Sequence, residues 1–306
     1  MIPNNLRPYV QVGANKRSQF QELVDDFFND FDFHLWLRGQ PGVGKTYYTK
    51  RAADKAGVVL VHIEGMATRW LFLKKMAVYL HQAGWPDPNN MPKNFNPKKL
   101  PKVCVYMDDC SSIFKSDFID TLKIALEEDE SDKLTYNTSL GGQYKQCEPH
   151  EKEAIDHFKN IKDPGFEMDF YGRVKFIFTM NHALHDEADL KAYKKKMGLK
   201  ASKSTVDKIE EQAALGTRMQ YQDLHMSKDE YWGWIADVVL NTNACAGATN
   251  KNKEEMLSWL YDNWPNLREH SVRFVVQKMW KDLNKSKSRK NHDYKSRWMN
   301  AIKVTA

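Results

Sequence analysis

Short apolar runs alternate along this chain with longer segments in which apolar residues recur at helical spacing. Four apolar runs predict buried strands, at residues 33–38, 58–63, 103–107 and 174–180. Helical spacing predicts helices before and after these strands, at residues 16–31, 46–57, 66–84 and 111–128. Strands that alternate with helices form a parallel sheet covered by helices on both faces, so the pattern predicts an α/β fold.

The pattern changes near residue 226, after which the chain is predicted to be helical. We predict an α/β core at residues 1–225, a small helical lid domain at 226–285 and a basic C-terminal tail at 286–306. Two insertions are predicted in the core, an acidic and polar one near 128–172 and a lysine-rich one near 183–205. The pair Gly141–Gly142 is expected at a loop tip in the first insertion.

Composition narrows the class of protein only modestly. The 306 residues include 46 Lys and Arg against 40 Asp and Glu, and the net charge of +6 is compatible with binding a polyanion. The four cysteines are scattered without C-x-x-C pairs, which is typical of reduced thiols in an intracellular protein. The sequence has neither a signal-peptide pattern nor a long apolar run, so we expect a soluble, cytoplasmic protein with no membrane partner.

The glycine-rich stretch GQPGVGKT, at residues 39–46, lies between a predicted strand and a predicted helix. It fits the pattern G-x-x-x-x-G-K-[ST], in which glycines let backbone N–H groups surround a phosphate at the positive end of a helix. Lys45 would reach the outer phosphates, and the Thr46 hydroxyl would coordinate Mg²⁺. The alternative is a glycine turn with no ligand. The candidate nucleotide-binding residues are Gly39, Pro41, Gly42, Val43, Gly44, Lys45, Thr46 and Tyr47.

Polar residues follow two of the predicted strands directly. The strand at 103–107 ends in Asp108 and Asp109, and the strand at 174–180 ends in Asn181. Asp108 would hold the metal, Asp109 would orient or deprotonate an attacking water, and Asn181 would contact the terminal phosphate and that water. The alternative is that these side chains only cap the segments that follow them.

With these motifs the chain resembles the AAA+ ATPases and their relatives, the superfamily 3 helicases of viruses, over roughly residues 15–285. The resemblance rests on GQPGVGKT, VYMDD and FTMN, and on two arginines. It implies ATP and Mg²⁺ as ligands and a homo-oligomer, such as a hexameric ring or spiral. Arg218, in AALGTRMQYQDL, matches an arginine finger that reaches a neighbouring subunit's nucleotide. Arg273, in LREHSVRFVVQK, matches a sensor-2 arginine over the γ-phosphate of its own subunit.

The sequence also departs from the family pattern. AAA+ enzymes usually carry Glu where Asp109 stands, whereas adjacent aspartates and a strand-ending Asn are more frequent among the viral helicases. The spacing from Gly39 to Asp108 matches AAA+ proteins better. The mixture resembles divergent phage or other viral ATPases.

Two basic clusters point to nucleic acid as a partner. One contains Lys191, Lys194, Lys195, Lys196, Lys200 and Lys203. The other contains Lys281, Lys285, Lys287, Arg289, Lys290, Lys295 and Arg297, interleaved with the aromatic residues Tyr294 and Trp298. Cations neutralise phosphates and aromatic rings stack on bases, so such clusters suit nucleic acid. The alternative is a solvated basic surface.

Three functions are therefore compatible with the sequence. The first is an oligomeric ATPase that acts on DNA or RNA, as a replicative helicase or a helicase loader does. The second is a protein-remodelling ATPase that grips a polypeptide with Met66 and Trp70, although Trp70 also fits a helix core. The third is an ATP-dependent scaffold that forms filaments on DNA.

Overall fold

The structure is a computed structural model, and it describes residues 4–65, 67–114, 116–127, 133–136, 141–159, 165–181, 184–198, 202–267, 269–288 and 294–299. The strands are β1 (Leu35–Arg38), β2 (Val59–Glu64), β3 (Val103–Asp108), β4 (Lys133–Tyr136), β5 (Phe166–Asp169), β6 (Val174–Met180) and β7 (Gln220–Asp223). The helices are α1 (Arg7–Asp30), α2 (Lys45–Ala56), α3 (Arg69–Gln82), α4 (Ser116–Ala125), α5 (Gly141–Lys145), α6 (Pro149–His157), α7 (Glu187–Met197), α8 (Lys203–Gly216), α9 (Lys228–Asn241), α10 (Asn250–Asp262), α11 (Trp280–Ser288) and α12 (Tyr294–Met299). A π-helix, Phe274–Met279, precedes α11.

The chain has an α/β fold built on a five-stranded parallel sheet in the order β2-β3-β6-β1-β7. Each residue of β6 is buried, because this strand is central and both of its faces are covered. On one face Trp36, Val105 and Phe178 join the large hydrophobic core. On the other face Tyr106 and Thr179 are fully buried. The predicted α/β class is confirmed.

The chain divides into two compact units. One comprises Met1–Val24, Gly39–Tyr48 and Leu224–Ala306, and the other comprises Asp25–Arg38 and Thr49–Asp223. The second unit holds the parallel sheet and the two-stranded antiparallel sheet of β4 and β5. The first unit holds the glycine-rich stretch and the C-terminal helices. The predicted boundary at residue 226 remains a prediction.

Within the first unit, helices α1 and α9 cross at two glycines. A Cβ on Gly13 would lie 2.2 Å from the carbonyl carbon of Gly233, and a Cβ on Gly233 would lie 1.9 Å from the carbonyl oxygen of Tyr9. Only glycine allows backbones to approach so closely. Next to this crossing, the Arg17 guanidinium pairs with the buried carboxylate of Asp237, so its charge is compensated.

Several predicted elements differ from those observed. Helix α1 begins at Arg7, earlier than the predicted start at residue 16. The expected loop tip at Gly141–Gly142 is wrong, because these residues begin the short helix α5, whose five residues are too few to show a periodic pattern. Strand β7 was not predicted. Within the described residues, the helices include none that is both long and apolar enough to cross a membrane.

Candidate functional site

The glycine-rich stretch forms a turn that begins directly after β1 and leads into α2. Gly42 and Gly44 have φ angles of +82° and +86°, in the left-handed region that glycine adopts without strain. Lys45 is almost fully buried, with 7% of its surface exposed to solvent. Its Nζ donates hydrogen bonds to the carbonyl oxygens of Gly39 (2.7 Å) and Gln40 (3.3 Å). The ammonium group therefore lies inside the turn, where an anion would be bound.

Residues from the C-terminal part of the first unit contact this turn. The Gln40 side-chain amide donates to the Met226 carbonyl oxygen (2.6 Å) and accepts from the Met226 N–H (3.1 Å). The Tyr231 hydroxyl donates to the carbonyl oxygen of Pro41. Gly42 packs against Ser271, since a Cβ at position 42 would lie 2.4 Å from the Ser271 Cβ. These contacts hold the turn in one conformation.

Arg273, the candidate sensor-2 residue, belongs to the same compact unit as the glycine-rich turn. It is exposed and immediately precedes the π-helix, and it follows Ser271 by two residues. The Ser271 hydroxyl accepts a 3.0 Å hydrogen bond from the Phe274 N–H. The segment that packs on Gly42 therefore also carries Arg273.

In the second unit, the two aspartates and Asn181 lie at the carboxyl edge of the parallel sheet. Asp108 ends β3, and its Oδ1 accepts a 2.6 Å hydrogen bond from the Thr179 hydroxyl of β6. The Asp109 N–H donates to the Thr179 carbonyl oxygen (2.9 Å), and Asp109 has a φ of +51°. Asn181 follows β6 and is exposed. Because β6 lies between β3 and β1, these polar groups share the edge at which β1 also ends.

His62 and Glu64 of β2 lie beside Asp108 at this edge. The His62 Nε2 is 3.6 Å from Asp108 Oδ2 and 3.6 Å from Glu64 Oε2. Burial lowers the pKa of His62, and the charge of Lys50 lowers it further, while the two carboxylates act in the opposite direction. The imidazole ring stacks on Tyr106, with ring centroids 5.1 Å apart.

The oxygen donors that Mg²⁺ requires are present at the predicted positions. Asp108 supplies a half-buried carboxylate and Thr46 a half-buried hydroxyl. Both are hard oxygen ligands, which suit Mg²⁺. The chemistry of Thr46, in the first unit, and of Asp108, in the second unit, therefore fits the predicted Mg²⁺.

Arg218, the candidate arginine finger, is engaged within its own chain. Its guanidinium donates to the Ala214 carbonyl oxygen (2.6 Å) and to Glu127 Oε1 (3.2 Å). The side chain is 28% exposed and that of Glu127 is 43% exposed.

The two basic clusters differ in the structure. Helix α7 exposes Lys191, Lys194, Lys195 and Lys196, of which Lys194 pairs with Glu210 (3.1 Å). Lys203 is exposed at the start of α8. Lys200 lies outside the described residues. The lysines of α7 remain a surface on which a polyanion could be neutralised.

The interpretation of Trp298 as a base-stacking residue is wrong, whereas that of Tyr294 stays a prediction. Trp298 is fully buried and packs on Trp259, with ring centroids 5.4 Å apart. The Tyr294 hydroxyl donates to Glu255 (2.7 Å), because α12 is docked within its unit. Lys295 pairs with Glu255 (3.0 Å) and Arg297 with Asp282 (3.6 Å). Arg289 and Lys290 lie outside the described residues, as does Met66.

Several residues at the candidate site were not found from the sequence. Thr179 belongs to the segment FTMN. Its hydroxyl within an apolar strand is the sequence feature that could have marked it as part of the site. Gln40 occupies a variable position of the motif, so the pattern gives it no role. Tyr231 and Ser271 contact the glycine-rich turn from far along the chain, so no local pattern marks them.

Comparisons with known proteins add little to these observations. No protein-family model matches the sequence, and no curated protein matches it. Among solved structures the chain is similar to a mutant of RuvB from Thermotoga maritima, at 10% sequence identity and a TM-score of 0.45, over 98% of this chain and 73% of that one. A likeness this low has no bearing on function, so the assignment below rests on the chain's own residues.

Proposed function

We propose that this chain is a Mg²⁺-dependent ATPase of the AAA+ type that works as a homo-oligomer on nucleic acid. The observation that carries the proposal is the turn at residues 39–46, which joins a parallel strand to a helix with Gly42 and Gly44 in left-handed conformation. A turn of this kind presents backbone N–H groups and the positive end of a helix to a phosphate.

Each residue has a role in the proposed reaction. Lys45 neutralises the outer phosphates, and it leaves the carbonyl oxygens of Gly39 and Gln40 when it does so. Thr46 and Asp108 would each offer an oxygen ligand to Mg²⁺, which would supply charge neutralisation at the phosphates when bound. Asp109 orients or deprotonates the attacking water.

Further groups contribute at the terminal phosphate and the nucleotide's surroundings. Asn181 contacts the γ-phosphate and the water, and Tyr47, which is 61% exposed, lies beside the nucleotide. Arg273 acts on the nucleotide of its own subunit. Arg218 acts on that of a neighbour in a ring or spiral, where it stabilises the charge on the transferring phosphoryl group.

Nucleic acid is the proposed substrate that the ATPase moves or loads, in the cytoplasm of its cell. The exposed lysines of α7 support this, since they neutralise a phosphate backbone without reading its sequence. A helicase or a helicase loader fits this description. Trp70 supports the protein-remodelling alternative less, because it is partly buried and packs against the hydrophobic core.

ATP binding and hydrolysis by the purified chain test the proposal. Lys45→Ala should abolish ATP binding, and Asp109→Asn should keep ATP binding but stop turnover. Lys55→Ala is the matched control, because Lys55 is an exposed lysine in the last turn of the same helix α2, and this substitution should leave both unchanged. A folded wild-type chain with no affinity for any nucleoside triphosphate would contradict the proposal.

Stimulation of turnover distinguishes the alternatives. Single-stranded or duplex nucleic acid should raise the ATPase rate, and salt should weaken this effect steeply. Stimulation by an unfolded polypeptide and indifference to nucleic acid would favour protein remodelling instead. Filaments on DNA that persist with a non-hydrolysable ATP analogue would favour the scaffold.

A further inference from the structure

A group of three possible metal ligands lies at the edge of β2 and β3, and the proposed ATPase reaction does not use two of them. It consists of His62, Glu64 and Asp108, whose ligand atoms all lie within 4.8 Å of one another. Within the described part of the chain, this is the one group of three or more His, Cys, Asp or Glu side chains whose ligand atoms are close enough to hold an ion.

Strand geometry explains why these side chains meet. His62 and Glu64 are two residues apart on β2, so they lie on the same face of the sheet. The parallel register pairs Glu64 with Asp108 and His62 with Tyr106, so Asp108 lies on that face too. Tyr106 is fully buried and stacks on the His62 ring, which fixes the plane of the imidazole.

The two distances from the His62 Nε2 to the carboxylates fit shared coordination better than direct hydrogen bonding. The His62 Nε2 lies 3.6 Å from each of two carboxylate oxygens, Asp108 Oδ2 and Glu64 Oε2. A hydrogen bond would be shorter, at about 2.7–3.2 Å. Two ligands at about 2.0–2.2 Å from one ion are themselves about 3.0–3.6 Å apart.

The His62 Nε2 atom is close to two carboxylates but is not at hydrogen-bonding distance from either. Within the described residues it is buried and makes no hydrogen bond. A buried polar atom left unpaired costs free energy, so such atoms usually have a ligand or a water. An ion between Nε2 and the two carboxylates would remove this cost.

The set of ligands indicates the class of ion. One imidazole nitrogen with two carboxylate oxygens suits divalent first-row transition metals, whereas Mg²⁺ and Ca²⁺ prefer oxygen alone. Glu64 is 75% exposed, so an ion could enter from solvent on that side. Asp108 Oδ1 accepts a hydrogen bond from the Thr179 hydroxyl, and Oδ2 of the same carboxylate lies 3.6 Å from His62 Nε2.

We propose that His62, Glu64 and Asp108 form a binding site for a divalent transition-metal ion such as Mn²⁺, Co²⁺ or Zn²⁺, which fills without nucleotide. The site does not depend on the proposed ATPase function. It shares Asp108 with the proposed Mg²⁺ site, so an ion here competes for that carboxylate. Micromolar Zn²⁺ should therefore inhibit any Mg²⁺-ATP turnover.

Co²⁺ titration of the full chain, free of affinity tags and nucleotide, tests the proposal by its visible absorption bands. We expect one Co²⁺ per chain with a nitrogen ligand. His62→Ala and Glu64→Ala should each weaken Co²⁺ binding at least ~10-fold, since loss of supporting groups alone has effects of this size. His150→Ala, at an exposed histidine of α6, is the matched control and should bind Co²⁺ as the wild type does.

The outcomes separate this site from the ATPase. Lys45→Ala should keep Co²⁺ binding and lose ATP binding, so failure of one proposal is distinguishable from failure of the other. A wild-type chain that binds no Co²⁺, or variants at positions 62 and 64 that bind it unchanged, would overturn the site. Glu64→Ala alters an exposed side chain, so it remains informative if His62→Ala does not fold.

Discussion

The Thr179 hydroxyl donates a 2.6 Å hydrogen bond to Oδ1 of Asp108, which joins β6 to β3 at the carboxyl edge of the sheet. Thr179 is fully buried, and its hydroxyl lies 3.2 Å from that of Tyr106. The orientation of the Asp108 carboxylate is therefore fixed from inside the protein. A carboxylate held in this way is preorganised for the proposed Mg²⁺ site.

Thr179→Val should lower ATP turnover about 10-fold, because a hydrogen bond to a charged group contributes about 1.5–3 kcal/mol. Valine keeps the shape of the side chain and removes only the hydroxyl. The affinity for ATP without Mg²⁺ should be unchanged, whereas the Mg²⁺ concentration required for half-maximal turnover should rise. Thr179→Ser restores the hydroxyl and should restore the Mg²⁺ dependence. Equal Mg²⁺ dependence in wild type and Thr179→Val would contradict the role of this hydrogen bond.

Gly42→Ala should abolish ATP binding and destabilise the first unit. The φ of +82° and the 2.4 Å approach to the Ser271 Cβ leave no room for a methyl group. Gly57→Ala is the matched control: its φ of +65° is also left-handed, but nothing lies within 4 Å of an added Cβ. It should cost only about 1–2 kcal/mol and keep ATP binding. Isothermal titration with ATP and urea unfolding measure both effects, and ATP affinity retained by Gly42→Ala would count against the turn as the phosphate site.

The buried strands could be predicted from the sequence because strands covered on both faces consist mainly of consecutive apolar residues. Strand β6 is observed at Val174–Met180, where it was predicted. Strand β7 could not be predicted, because it lies at the edge of the sheet and three of its four residues are exposed. Its sequence, QYQD, therefore has neither an apolar run nor an alternating pattern.

The candidate site could be predicted only where its chemistry is local in the sequence. The turn at 39–46 and the pair Asp108–Asp109 follow strands directly, so motif and context occur together. The contacts of Tyr231 and Ser271 with the turn join residues about two hundred positions apart, and they depend on tertiary packing. The burial of Trp298 depends on packing in the same way, and a basic, aromatic composition gave the wrong interpretation.

Arg218→Ala should bind ATP but lose at least about 10³-fold in turnover, if its guanidinium acts on a neighbouring subunit's nucleotide. Mixing Arg218→Ala with Lys45→Ala subunits should restore part of the activity, because some interfaces then combine an intact Lys45 with an intact Arg218. The control is Glu127→Gln, which removes the intrasubunit ion pair of Arg218. That pair is partly exposed to solvent and contributes about 1 kcal/mol or less, so turnover should persist. Turnover by Arg218→Ala alone at the wild-type rate would exclude the finger.

His34 should make the stability of the second unit depend on pH. It is 1% exposed, and its Nδ1 accepts a 3.1 Å hydrogen bond from the Phe176 N–H, which requires the neutral ring. Burial, and then the charge of Lys175, lower the pKa of His34 from 6.5 to about 3. The unfolded chain therefore binds the proton more tightly. The stability contribution is complete above pH 6.5 and is lost as the pH falls towards 3.

Urea unfolding at pH 7.5 and pH 5 measures this effect of His34. The free energy of unfolding should fall by about 2 kcal/mol from this group, which is 1.36 kcal/mol for each pH unit below its unfolded pKa. In His34→Asn the side-chain oxygen still accepts the hydrogen bond but does not titrate in this range, so that part of the pH dependence should vanish. His150→Ala, at an exposed histidine, should keep it. An equal loss of stability at pH 5 in wild type and His34→Asn would show that other groups cause the acid sensitivity.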